Sequence, residues 1–118
     1  MKLAIVGSRN YTDYETFKSA VSRVVEKEDI THVISGGASG VDKLAEKWAK
    51  DNNIQLIVFT ANWKKYGKGA GPLRNTQIVE ECDYMIAFPS KSGRGTQDSI
   101  RKAEKLKRLL SVFYIEEL

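Results

Sequence analysis

A chain of 118 residues with 42% hydrophobic and 29% charged side chains has the make-up of one globular domain, with material for one sizeable core and hardly for two. No stretch approaches the roughly 20 consecutive apolar residues of a membrane span, and the short run after Met1 and Lys2 lacks the length and cleavage site of a signal peptide, so a soluble, cytoplasmic protein is expected. The net charge of +4 and pI near 9.2 suit anionic ligands without requiring them, and the single cysteine, Cys82, excludes an internal disulfide.

Leu3 to Val6 is a continuous apolar run stopped by Gly7, the pattern of a strand buried on both faces of a parallel sheet. Thr12 and Glu15 have capping-box spacing, and Phe17, Val21, Val24 and Val25 recur at helical intervals, which predicts a helix from about Tyr14 to Lys27. Val33 and Ile34 form a second strand that leads into Ser35-Gly36-Gly37-Ala38-Ser39-Gly40, after which Val41, Leu44, Ala45, Trp48 and Ala49 share one helical face. Asn52 and Asn53 end that helix, Ile54 to Phe59 form a third strand, and Ala61 to Gly71 read as a loop. Pro72 suits the first turn of a helix carrying Leu73, Thr76, Val79 and Cys82, with the cysteine as a buried small residue rather than a nucleophile. Tyr84 to Phe88 form a fourth strand and Pro89 to Gly95 a loop. Ile100, Ala103 and Leu106 mark a fourth helix, on which Arg101, Lys102, Lys105, Lys107 and Arg108 read as a solvated face, and Leu110 to Ile115 close the chain as a fifth strand.

This alternation, with no internal repeat and no linker, predicts an α/β fold. The expected architecture is one three-layer Rossmann-like domain over residues 1–118, with a five-stranded parallel sheet in the order 3-2-1-4-5. The ligand crevice of such a sheet opens at the carboxyl ends of its strands, where the order reverses between strands one and four. The chemically unusual segments fall there: Gly7-Ser8-Arg9-Asn10, Gly36 to Gly40, and Ser90 to Thr96.

Gly36-Gly37-Ala38-Ser39-Gly40 has the make-up of a phosphate cradle, since glycines let backbone N–H groups approach an anion at the positive end of the following helix. It is neither a Walker A motif nor the dinucleotide fingerprint, so ATP hydrolysis is unsupported. It also reads as a tight turn with Ser39 as N-cap and Asp42 completing a capping box. Ser92-Gly93-Arg94-Gly95-Thr96 reads as a capped flexible loop with Thr96 as the cap, or as a second phosphate-facing helix head. The pairing of both loops at one sheet edge favours the phosphate.

Together these motifs resemble the SLOG superfamily, which includes the lonely-guy phosphoribohydrolases and the DNA-processing protein Smf/DprA, and within it the small YspA-related branch. The resemblance rests on Val6-Gly7-Ser8-Arg9, Ser35 to Asp42, Gly69-Ala70-Gly71-Pro72-Leu73-Arg74-Asn75, Asp83, and Ser92 to Thr96. It implies a Rossmann-like fold that binds nucleotides or their derivatives, often as a homo-oligomer. In the lonely-guy enzymes an arginine near the start of the third helix and a glutamate three residues after a Gly-Thr pair carry hydrolysis of the base–ribose bond. Arg74 and Gly95-Thr96 are similar to the first and last of these, but the glutamate position falls on Ser99, which cannot act as a carboxylate. Asp98 lies about 100° away around the helix, and the loop opens with Pro89-Ser90-Lys91-Ser92 where the family has Pro-Gly-Gly.

The expected function is therefore binding without turnover, as a sensor or sequestering domain for a nucleotide-like ligand. The backbone of Gly36 to Gly40 and of Gly93 to Thr96 is expected to hold phosphate, with Gly7, Ser8, Arg9, Asp42, Lys68, Arg74, Asn75 and Ser92 completing the site. The alternatives are nucleoside-monophosphate hydrolysis through Arg74, and single-stranded DNA binding through the basic loop Lys64-Lys65-Tyr66-Gly67-Lys68. Tyr11, Trp63 and Tyr66 border the expected cleft and suit either base stacking or packing. His32 has no partners at metal-ligand spacing, so neither a metal nor a cofactor is expected.

Overall fold

The computed structural model describes every residue from Met1 to Leu118. Five strands, β1 (Lys2–Gly7), β2 (His32–Ser35), β3 (Gln55–Val58), β4 (Tyr84–Phe88) and β5 (Leu109–Val112), form one sheet in the order β3-β2-β1-β4-β5, the order expected. Every pairing is parallel, and only β4 against β5 slips register, between Met85 and Ile86. Side chains alternate across this sheet and build two cores. Leu3, Ile5, Val33, Ile86 and Phe88 face α1 (Tyr14–Ser22) and α2 (Val41–Asp51), meeting Phe17, Val21, Ala45 and Trp48. Ala4, Val6, Ile34, Met85 and Ala87 face α4 (Ala70–Glu81) and α5 (Gly95–Lys105), meeting Ile78, Val79, Ile100 and Ala103. A short helix, α3 (Trp63–Tyr66), precedes α4. No helix is long and apolar enough to cross a membrane.

Several local expectations are corrected. The N-cap of α1 is Asp13, whose carboxylate accepts from Thr16 N–H at 3.1 Å, so Thr12 and Glu15 form no capping box. That helix stops at Ser22 rather than Lys27, because the chain turns at the β-branched pair Val24-Val25 and then through a 3₁₀ turn at Lys27–Asp29, which delivers Ile30 to the core. The segment from Ala61 to Gly71 is not a loop throughout: α3, a 3₁₀ turn at Gly67–Gly69 and the first residues of α4 lie within it. On α4 the buried positions are Ala70, Gly71, Asn75, Ile78 and Val79, while Leu73 is exposed, and Leu106, just past the end of α5, is exposed as well. Strand β3 sits at the sheet edge, so its apolar Leu56 and Val58 are each 40% exposed.

Arg108 also departs from the expected solvated face. Its guanidinium Nη1 donates to the carbonyls of Val79 (2.7 Å), Glu80 (2.8 Å) and Cys82 (3.2 Å), closing the carboxyl end of α4. Lys102 likewise reaches across to the Pro72 carbonyl and tethers α5 to the start of α4. Cys82 is buried beneath this end, where burial pushes its thiol up to about 11.

Candidate functional site

The carboxyl ends of β1 and β4, between which the strand order reverses, open into a cavity of about 350 Å³, at the small end of the range for ligand pockets. Its walls are the loops after β1, β2 and β4 together with the first turns of α4 and the head of α5.

The loop after β1 is fixed by its backbone. Ser8 N–H donates to the Phe88 carbonyl at 2.9 Å, and Ser8 C=O accepts from Val41 N–H at 3.0 Å, which locks β1, β4 and α2 together. Gly40, at φ 73°, lies so close that a Cβ there would overlap the Ser8 carbonyl and the Arg9 backbone. Gly7 is equally confined, since its Cβ would stand 2.6 Å from the Phe88 carbonyl oxygen. Gly7, Ser8, Arg9 and Asn10 all line the cavity, and the Arg9 guanidinium is exposed with no partner in the chain.

The glycine loop after β2 differs from an open cradle. Gly37 N–H donates to Ser35 Oγ at 3.1 Å, and Ala38 N–H donates to Asp42 Oδ2 at 3.1 Å, so two of its donors are already engaged inside the protein. Ser35 Oγ in turn donates to Glu46 at 2.8 Å. The N-cap of α2 is Gly40 rather than Ser39, whose hydroxyl instead donates to the Arg9 carbonyl at 3.1 Å. The expected capping box is thus replaced by Asp42 folding back onto the loop.

Arg74 stands opposite. Its Nη1 donates to the Gly36 carbonyl at 2.6 Å and its Nε donates to Asn75 Oδ1 at 3.0 Å, so of five guanidinium N–H donors three are left for a ligand. It is half-buried, not an exposed charge in a helical first turn; burial lowers its pKa while Asp42 acts in the opposite sense. Asn75, itself buried, donates to the Gly95 carbonyl and to Asp98 Oδ2, both at 3.2 Å, which holds the loop after β4 against α4.

The head of α5 is open. Its N-cap is Arg94 with no side-chain cap, so Thr96 does not play that part, and the N–H groups of Gly95, Thr96 and Gln97 donate to no group in the chain. Ser92, Gly93, Arg94, Gly95 and Thr96 line the cavity beside this head. Ser99 lines it too and is 1% exposed, whereas Asp98 is turned aside into contacts with Asn75, Arg101 and Lys102. The one carboxylate in the wall is Asp42, 5% exposed and pushed up to about 6, chiefly by burial and against the opposing influence of Ala38 N–H and Arg74.

A second hollow of about 150 Å³ lies across Arg74 and Arg9, bounded by Gly37, Thr60, Ala61 and Trp63. Gly37 therefore belongs to this side, while Gly36 and Ala38 border both. Ser39, Gly40 and Lys68 line neither, and Lys68 is exposed on the 3₁₀ turn before α4. Sequence reasoning did not single out Ile78 as a lining residue. Ile78 had a usable signal, since it follows Arg74 by four residues and so shares its helix face.

The family model for the YspA, cpYpsA-related SLOG family matches residues 1–66, which includes the loops after β1 and β2. The chain belongs to that family. A relative of this SLOG chain, the Gene 61 protein of Mycobacterium phage D29, is 32% identical over 111 residues, which is 88% of this chain and 89% of the phage protein. Among solved structures, DNA processing protein A from Streptococcus pneumoniae superposes with a TM-score of 0.72 at 21% identity, over 93% of this chain and 49% of that one. DNA processing protein A from Helicobacter pylori, described for its single-stranded DNA binding mode, gives 0.70 at 20% identity, over 95% of this chain and 64% of that one. The SLOG chain thus spans about half to two-thirds of those two proteins, with which it shares the fold.

Proposed function

We propose that the SLOG chain binds the phosphate of a nucleotide or nucleotide-derived ligand, without turning it over, in the cavity between β1 and β4. The observation that carries this reading is the convergence of Arg9, Arg74 and Arg94 with the unpartnered N–H groups at the head of α5 on one cavity. Cations beside a positive helix end repel it and each other until an anion arrives, and both kinds of donor then gain. The phosphate belongs at Gly95-Thr96 rather than in the glycine loop after β2, because Ser35 and Asp42 already take the Gly37 and Ala38 N–H groups there and the Asp42 carboxylate stands beside the rest. Gly7, Ser8, Asn75 and Ser92 shape the cavity around it, and Lys68 has no part. The test is a calorimetric titration with nucleoside phosphates, in which Arg74→Ala removes saturable binding while leaving the protein folded.

Hydrolysis of the base–ribose bond is the second reading, and Asp42 is the observation in its favour: a buried carboxylate with its pKa raised toward neutrality stands in the cavity wall. It lies on α2, however, and Ser99 occupies the place on α5 where a carboxylate belongs in the hydrolytic relatives. Free base released from a nucleoside monophosphate, and lost in Asp42→Asn, would establish hydrolysis.

A further inference from the structure

Arg9 and Arg74 are shared by two hollows. The larger one ends at the head of α5, whereas the smaller one ends at Trp63, an indole 51% exposed on α3. Trp63 is the largest and the most exposed of the chain's exposed large hydrophobic side chains, and it is held along one edge. A Cβ on Gly71 would stand 3.0 Å from Cη2 of Trp63, so the six-membered ring rests directly on the glycine backbone in the first turn of α4. Gly37 also borders the hollow. Gly37 has φ +72°, and a Cβ there would come within 3.1 Å of Val58 and 3.2 Å of Thr60. Trp63 and the two arginines thus border one space, which adjoins the larger cavity along Arg9, Gly36, Ala38 and Arg74.

We infer that this second hollow is a base subsite: the ligand is a nucleoside phosphate whose phosphate lies at the head of α5 and whose base stacks against Trp63, with Arg74 between them. The inference rests on the proposed phosphate site and extends it. A planar, electron-rich heterocycle is the chemistry that an exposed indole flanked by guanidinium groups recognises, through ring stacking on one side and cation–π contact on the other. Inorganic phosphate and ribose 5-phosphate fill only the larger hollow and gain nothing from Trp63.

The test compares the four common nucleoside monophosphates with ribose 5-phosphate by calorimetry and by tryptophan fluorescence. The chain has two tryptophans, and Trp48 is only 7% exposed in the core, so ligand quenching reports on Trp63. At least one monophosphate is expected to quench the wild type and not Trp63→Phe. Trp63→Ala is expected to weaken that nucleotide about tenfold or more while leaving ribose 5-phosphate unchanged. Trp63→Phe, which keeps a ring, is expected to stay within a few-fold of wild type. If ribose 5-phosphate and the nucleotides bind with equal affinity, and Trp63→Ala alters neither, the base subsite is wrong and the phosphate site stands. If none of these compounds binds, both are wrong.

Discussion

The Nη1 of Arg74 donates to the carbonyl oxygen of Gly36 at 2.6 Å, and by this one bond the start of α4 is fastened to the loop that leaves β2. The carbonyl can be approached so closely because Gly36 has no side chain: a Cβ would stand 2.7 Å from that nitrogen and 2.9 Å from Asp42 Oδ2. Both neighbours are the far ends of flexible side chains, so they can move aside. Gly36→Ala is therefore expected to fold with a loss of about 1–2 kcal/mol, seen in the urea midpoint, yet to weaken nucleotide binding at least tenfold because Arg74 and Asp42 are both displaced.

Gly40 is a contrasting case. Its φ of 73° is combined with a Cβ position that overlaps the Ser8 carbonyl and the Arg9 backbone, neither of which can swing away. Gly40→Ala should destabilise the fold by roughly 3 kcal/mol or more, as strain at a positive φ adds to a backbone clash. Chemical denaturation checks this, and a loss below about 1 kcal/mol would contradict the packing of α2 on the loop after β1.

Asp42 gives the site a pH dependence. Its folded pKa is about 6 against an ordinary 3.8, so the folded state holds the proton more tightly and is favoured at low pH. Its contribution is then lost as pH rises from about 4 through about 6, and the loss amounts to about 3 kcal/mol at pH 7. The stability of Asp42→Asn relative to wild type should accordingly grow between pH 4 and pH 7 and be flat above it. Anion binding follows the same sign, since a neutral Asp42 no longer opposes phosphate. The affinity for ADP-ribose, whose diphosphate keeps its charge over this range, should fall as pH rises from 5 to 7.5 in wild type and stay level in Asp42→Asn.

Arg108 predicts an effect on stability alone. With three carbonyls at the end of α4 satisfied by one guanidinium, Arg108→Ala should lower stability by about 1–2 kcal/mol and leave ligand affinity unchanged. A change in affinity would mean that α4 moves as a unit with its Arg74 end.

The strand positions and their order were readable because the buried strands announce themselves: β1 and β4 are continuous apolar runs that face two helical layers. The same reasoning overestimated β3, whose Leu56 and Val58 are apolar but lie on an edge, and periodicity alone does not distinguish an edge from a centre. At the site, the loops flagged by Gly, Ser and Arg do meet at one cavity, because topology brings every strand's carboxyl end to the same rim. What composition could not convey is how the donors are allocated. Asp42 looks like half of a capping box three residues after Ser39, but in space it accepts from the Ala38 N–H of its own loop, while the first N–H groups of α5 are left without a partner. Arg108 and Lys102 misled for a related reason, since a long cationic side chain on a helix reads as solvated until the carbonyls of a neighbouring helix end are found within its reach.

The proposed phosphate site also separates from a nucleic-acid surface by its response to salt. The exposed Lys64, Lys65 and Lys68 beside Trp63 and Tyr66 would engage several backbone phosphates of a single strand, with a steep loss of affinity as salt rises. A single nucleotide held in the cavity should lose affinity only a few-fold between 50 and 200 mM salt. A steep dependence for short single-stranded DNA, with no binding of mononucleotides, would favour the lysine-bearing face.

The most direct measurement is a thermal-shift screen of the wild type and Arg74→Ala against nucleoside monophosphates, cyclic nucleotides, dinucleotides and ADP-ribose. A ligand of the cavity, present at one hundred times its dissociation constant, stabilises the wild type by about 2.7 kcal/mol, and this gain should vanish in Arg74→Ala, whose unliganded form is less stable by about 1–2 kcal/mol for the lost bond to Gly36. An equal shift in both proteins, or no shift with any phosphorylated compound, would contradict a phosphate site built on Arg74 and the head of α5.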